Sequence, residues 1–265
     1  MAKKTPTDKT PVDSPLGENT VLHLTIETTD HQKAYSAALQ KIATHVKHPG
    51  FRQGKTPLKI AEETVGREEV VKEALQSLLP TRYTKLIEES KITPIVEPSY
   101  QIKTSPADAA WEIEIITAVT PEVILGDYQK LIKEGAIEGK KEMTGETEHE
   151  HGEDHEKQHL MGVIFRKLIA SHGPKIPPRL LEDQVQREFS RLLSNLKQHR
   201  LELNDYLKAS GKTIEQLEEE YTANTLAGLQ LEFLFNAIAL DQKIEDEDPV
   251  KVRQKTVDRI LELSK

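Results

Sequence analysis

Leu22, Leu24 and Ile26 alternate with His23, Thr25 and Glu27, and this period of two predicts a half-buried strand over 19–28. The period then changes. Ala34, Ala38, Ile42 and Val46 recur every four residues, so one apolar stripe runs along a helix that Asp30 is placed to cap and Pro49 to stop. Pro57 is suited to open a short helix carrying Ile60, Ala61 and Val65, with Gly66 at its end. Over 68–90, Val70, Val71, Leu75, Leu78, Leu79, Leu86 and Ile87 predict a longer helix, which Pro80 is expected to kink or break. Strands return over 95–103 and 110–119. In the second, Trp111, Ile113 and Ile115 alternate with Glu112 and Glu114, and Thr104-Ser105-Pro106-Ala107-Asp108 forms the turn between the two. The order strand, helix, loop, helix, helix, strand, strand predicts helices packed on an antiparallel sheet.

Beyond residue 159 the spacing is helical. Val163, Ile164, Leu168 and Ile169 mark a helix over 160–171, which Gly173-Pro174-Lys175-Ile176-Pro177-Pro178 breaks. From Arg179, a long stripe runs through Leu181, Val185, Phe189, Leu192, Leu193 and Leu196. A short turn at Leu203, Tyr206 and Leu207 ends at Gly211, and Thr213 with Gln216 reads as a capping box. Residues 226–240 are apolar on more than one face, through Leu226, Leu229, Leu231, Phe233, Leu234, Phe235, Ile238 and Leu240. Most of these build a core, but a small helical stack cannot cover every face. Phe189, Leu193, Leu226, Leu229, Phe233 and Phe235 are therefore expected to line an open cradle. An acidic break over 241–248 precedes a last helix that starts at Pro249. The fold class expected is an α+β N-terminal domain, an antiparallel sheet with packed helices and a protruding loop, followed by an all-α C-terminal domain.

Composition sharpens this picture. The 265 residues suffice for two domains: a disordered tail over 1–16, a sheet domain over 17–130, an acidic His-rich linker over 131–159 and a helical domain over 160–265. No run approaches the ~18 apolar residues of a membrane span, so no membrane partner is expected. The lysine-bearing N-terminus lacks an apolar stretch and is not read as a secretory signal, and a cytoplasmic location, with which the absence of cysteine is compatible, is expected. Cysteine is absent, which removes disulfides and thiolate chemistry. A net charge of −8 restricts any nucleic-acid contact to a local patch. Lys41, Lys47, Arg52, Lys55 and Lys59, with His45 and His48 and no acid among them, supply one. In the linker, His151, His155 and His159 share a face at helical spacing, and His149 lies nearby; such imidazoles can bind zinc or nickel. Gly152 stands where a His-Glu-x-x-His motif needs its glutamate, and the segment reads as a solubilising linker, so no metal and no cofactor is assigned. No nucleophile–base pair and no phosphate-binding glycine loop stands out, so binding is expected rather than catalysis.

The stretch His48-Pro49-Gly50-Phe51-Arg52-Gln53-Gly54-Lys55-Thr56-Pro57 carries the most specific chemistry. Its glycines take backbone paths other residues resist, and its prolines stiffen both ends. Phe51 beside Arg52 and Lys55 suits a partner that offers phosphates and an apolar crevice. The stretch closely resembles the ribosome-docking signature of the trigger factor family, Gly-Phe-Arg-x-Gly-x-x-Pro after a long first helix, and Gly50, Phe51, Arg52, Gly54 and Pro57 fill every fixed position. Many members carry Lys after the Arg, where this chain has Gln53, which weakens the attraction to ribosomal RNA.

The resemblance continues at Thr120-Pro121-Glu122-Val123-Ile124-Leu125-Gly126-Asp127-Tyr128, at Ile176-Pro177-Pro178-Arg179-Leu180-Leu181 and at Tyr206-Leu207-Lys208-Ala209-Ser210-Gly211-Lys212-Thr213. It implies an ATP-independent chaperone that docks near the nascent-chain exit of the large ribosomal subunit, on protein and ribosomal RNA, and shields emerging apolar segments. Gly50, Phe51, Arg52, Gln53, Gly54, Lys55 and Pro57 would make the docking contact. The partners implied are the ribosome and unfolded or nascent polypeptides; weak homodimerisation stays open, as do the family's links to protein transport and cell division. Long members carry an FKBP-type prolyl isomerase domain, but the roughly fifty residues from Tyr128 to Pro177 are too few and too polar for one. A short form is therefore expected, not an enzyme, with a shortened helical domain. A holdase that works off the ribosome and a residual prolyl isomerase are the alternatives.

Overall fold

In the computed structural model, which describes residues 14–144 and 153–265, the chain divides into two units. One is Asn19–Thr120; the other is Pro121–Lys265 together with Met1–Glu18.

The first unit begins with the alternating segment as strand β1 (Thr20–Ile26), followed by α1 (Thr28–Ala43), α2 (Leu58–Val65), α3 (Arg67–Ser90), β2 (Ser99–Thr104) and β3 (Trp111–Thr117). The sheet is antiparallel with order β1-β3-β2, so the last strand lies in the middle. Leu24 faces Ile113 and Leu22 faces Ile115 across the ladder. Residues directly opposed share a face, and that face closes on Ala38, Leu39 and Ala43 of α1 and on Val70, Val71, Ala74, Leu75 and Leu79 of α3. Each large side chain buried this way contributes about 1.5–3 kcal/mol. Trp111 is fully buried; its Nε1–H donates to Pro106 O at 2.8 Å, and the His31 ring stacks on it at 4.5 Å. His31 in turn donates from Nε2 to Ala109 O at 2.8 Å.

Details depart from the sequence reading. Asp30 does not cap α1. Glu27 occupies the cap position without a side-chain bond, and Asp30 sits in the first turn, paired with Arg82 of α3. An acid there complements the helix dipole and ties the two helices together. Pro80 does not break α3. It lies on the exposed side, while Ala74, Leu75 and Leu79 anchor the preceding turns in the core. The strand expected over 95–103 shortens to β2, because Pro94 and Pro98 cannot donate to a ladder. A register shift between Ile102 and Thr104 leaves Lys103 outside the pairing, where it meets Glu114 at 2.7 Å.

The second unit contains α4 (Tyr128–Thr144), α5 (Glu153–His172), α6 (Pro178–Gln198), α7 (Leu203–Ser210), α8 (Ile214–Asp241) and α9 (Pro249–Leu263). Its core joins Tyr128, Ile132 and Ala136 of α4, Met161, Ile164 and Leu168 of α5, Leu234, Phe235 and Ile238 of α8, and Ile260 of α9. Thr213 does form the capping box with Gln216. The expectation of a linker over 131–159 is corrected: residues 131–144 belong to α4, packed along α5. Gly135 and Gly139, which read as linker glycines, are contact points. A Cβ on Gly135 would lie 3.1 Å from Ile164 Cα, and one on Gly139 would lie 3.1 Å from Leu160 Cδ1. The sheet domain also stops short of residue 130, since Tyr128 is buried in the helical core and donates from Oη to Asp241 Oδ2 at 2.5 Å. Of the expected tail, residues 1–13 lie outside the described residues. Leu16 is not loose; it pairs with Ile176 in a parallel bridge. His149 and His151 also lie outside the described residues. His155 and His159 fall on α5, where His159 Nε2 is 3.4 Å from Glu142 Oε2, and no metal-binding cluster occurs among the described residues.

Candidate functional site

The loop between α1 and α2 is built from two turns. Phe51 N–H donates to His48 O at 3.1 Å, and Lys55 N–H donates to Arg52 O at 2.9 Å. The third residue of each turn is a glycine, with φ of 90° at Gly50 and 78° at Gly54. Pro49 fixes the second position of the first turn, and Gln53 is not among the residues with positive φ, so both turns are type II. A side chain at either glycine would carry strain. Buried Val46 and Thr56 pin the two ends of the loop, and Pro57 O accepts from Ala61 N at 2.9 Å to start α2.

Gly50, Phe51, Arg52, Gln53, Gly54, Lys55 and Pro57 are thereby gathered on one exposed tip. Phe51 keeps 40% of its surface in solvent, its ring 5.9 Å from that of His48. Among the described residues, Lys47, Arg52, Lys55 and Lys59 have no carboxylate in salt-bridge reach. Lys41 is different. It pairs with Glu73 of α3 and drops out of the basic patch read from the sequence. The tip offers one apolar ring near cations that no carboxylate among the described residues neutralises. Such an arrangement can meet phosphates and an apolar recess together.

The second expected site behaves differently. A cleft of about 320 Å³ lies among α6, α8 and α9, lined chiefly by Gln184, Glu188, Tyr221, Asn224, Glu232 and Arg253 over Leu229. It is more polar than the greasy cradle expected. Phe189 is half-buried with its ring 4.9 Å from Tyr221, Leu226 and Phe233 are half-buried, and Leu193 is 46% exposed. Burial pushes the Tyr221 hydroxyl above its ordinary range, with Tyr206 and Glu188 adding to it. Leu229 and Phe235 are corrections: both are buried. Phe235 packs edge-on to Phe165 at 5.1 Å, with the Arg253 guanidinium 5.8 Å from its ring centre. Phe235 is not available as a cradle surface, and Leu229 contributes only to the floor of the polar cleft. The sequence reading missed Ile124, Ile137, Leu201, Leu240 and Val250, all exposed; of these, Leu240 reaches 81%. Leu240 was visible in the apolar run of α8, but its side of the helix was not. Among the described residues, no helix is long and apolar enough to cross a membrane.

Comparison with known proteins gives two family matches. Residues 10–150 match the family model for bacterial trigger factor protein (TF), and residues 138–255 match that for its C-terminus. The two matches overlap, which leaves no unmatched stretch between them for an inserted domain. Trigger factor of Staphylococcus epidermidis is 31% identical over 151 residues, covering 57% of this chain and 34% of that protein. Trigger factor of Streptococcus mutans is 29% identical over 156 residues, covering 59% of this chain and 36% of that protein. The chain thus spans about a third of the length of the curated relatives it matches. A solved structure described as "Promiscuous Substrate Recognition in Folding and Assembly Activities of the Trigger Factor Chaperone" aligns over 94% of this chain and 98% of its own, with a TM-score of 0.56 at 13% identity, a likeness of fold. By both family matches and its sheet-then-helices architecture, the chain belongs to the trigger factor family, in a short form made of the N- and C-terminal parts.

Proposed function

We propose that the chain is an ATP-independent chaperone that docks on the large ribosomal subunit by the 50–57 tip and shields apolar segments of emerging polypeptides in the cytoplasm. The observation that carries this reading is the tip itself. Phe51 is exposed beside Arg52, with Lys55 in the next turn, on a backbone shaped by two hydrogen-bonded turns with positive-φ glycines. A tip preformed by those turns loses less conformational entropy on docking. Gln53 keeps the tip one cation short, so docking is weaker than in relatives with Lys there. Apolar segments are held by non-directional burial on half-exposed side chains, Leu193, Phe189, Leu226 and Phe233 among them. Weak binding and rapid release follow. Prolyl isomerisation is not part of the proposal, because the adjoining family matches leave no room for that domain.

Ribosome pelleting tests the reading. A Phe51→Ala, Arg52→Ala, Lys55→Ala triple variant should lose cosedimentation with its circular dichroism unchanged. The intact chain should pellet less as salt rises from about 0.05 to 0.2 M, because phosphate contacts release counterions. Unchanged pelleting of a folded triple variant overturns docking by this loop.

A further inference from the structure

Residues Pro15–Gly17 lie as a strap along the extended stretch before α6. Ile176 N–H donates to Pro15 O at 3.0 Å, and Gly17 N–H donates to Ile176 O at 2.9 Å, so both backbone groups of Ile176 are satisfied by this segment. The next donors on that edge, two residues either side of Ile176, would be Pro174 and Pro178, and neither has an N–H to offer a ladder. The pairing is therefore confined to one residue and to one register. The site also selects side chains. A Cβ at Gly17 would lie 3.0 Å from Lys175 O and 3.3 Å from Lys175 Cβ, so a side chain there presses on Lys175 and glycine is favoured. The position of Leu16 is half-open, since its side chain is 39% exposed. Pro15 holds its φ in the extended range without entropic loss on docking. Among the described residues, two backbone bonds to Ile176 and one partly covered leucine hold the strap against the stretch.

We propose that the edge at Ile176 is a binding site for an extended polypeptide segment carrying an apolar residue followed by glycine, and that the strap occupies it in cis as an autoinhibitory stand-in. Backbone pairing suits an unfolded chain, which presents N–H and C=O groups whatever its sequence. The identity of the occupant as an unfolded client rests on the chaperone reading; the existence of the edge does not. Strap and client compete, so the client's apparent affinity is scaled by the fraction of molecules with the strap released.

The test uses the full chain. Gly17→Val places a branched Cβ against Lys175 and should expel the strap. The Ile176 amide should then exchange with deuterium about tenfold faster or more. A fluorescein-labelled peptide of residues 10–19 should bind the Gly17→Val chain at least about tenfold more tightly than the native chain in an anisotropy titration. The same peptide carrying Gly17→Val should bind neither. Gly17→Pro, which deletes the donor to Ile176 O, serves as the second displaced variant. Faster Ile176 exchange without peptide capture in either variant overturns the proposal, as does unaltered exchange in both. Failure of the chaperone reading looks different: peptide capture persists while neither native nor variant chain suppresses aggregation of an unfolded protein.

Discussion

Phe51 and Phe235 carry the same side chain in opposite surroundings, 40% and 3% exposed respectively. Phe235→Ala removes a ring packed among α5, α8 and α9 and should cost about 3–5 kcal/mol in urea unfolding. Phe51→Ala should cost less than about 0.5 kcal/mol in the same measurement, while abolishing most ribosome pelleting. A second residue-scale expectation concerns acid. The Asp241 carboxyl is held below its ordinary range, first by the hydrogen bond from Tyr128 and then by that from Gln242. A lowered folded-state value means that this contribution is present above the unfolded carboxylate range and lost as pH falls through the folded value. Burial and the bond to Asp241 raise Tyr128, so its contribution is present below pH 10 and lost as pH rises through the folded value. The Asp241→Asn chain should accordingly show a flatter acid limb in a plot of melting temperature against pH. An unaltered limb would remove Asp241 from the account.

At the scale of elements, the α4–α5 hairpin depends on glycine. Gly135 and Gly139 let the two helix backbones approach where any Cβ would press on Ile164 or Leu160. Gly139→Leu should destabilise the helical unit by about 1–3 kcal/mol through overpacking, although leucine is the better helix former. A net gain in stability would show that the close approach is not needed. In α3 the expectation reverses. Pro80 sits exposed inside a continuous helix and withholds one backbone donor. Pro80→Ala should raise the melting temperature, because it restores that donor at a solvent-facing position.

Across the whole molecule, the two hydrophobic cores share no residue. Trp111, the single tryptophan, lies in the core of unit Asn19–Thr120. Phe235→Ala should therefore shift the unfolding curve followed by circular dichroism and leave that followed by tryptophan fluorescence in place. Coincident shifts would mean that the units unfold as one.

Local pattern was enough to read most of the first unit. The alternation at Leu22, Leu24 and Ile26 and at Trp111, Ile113 and Ile115 leaves a strand little choice of face, and glycines at the third place of each turn specify the 48–57 tip. Those signals survive because they depend on neighbours within a few residues. The signals that failed depend on partners far along the chain. Gly135 and Gly139 read as linker until α5 lies against them, and Pro80 reads as a breaker until core packing outweighs one missing hydrogen bond. In α8 the apolar side chains run round the helix, so only the neighbours α5 and α9 separate buried Phe235 from exposed Leu240. The strap at Ile176 left little mark in the pattern, because two backbone bonds make it and every residue carries those groups, with only the Leu16–Gly17 pair to distinguish it.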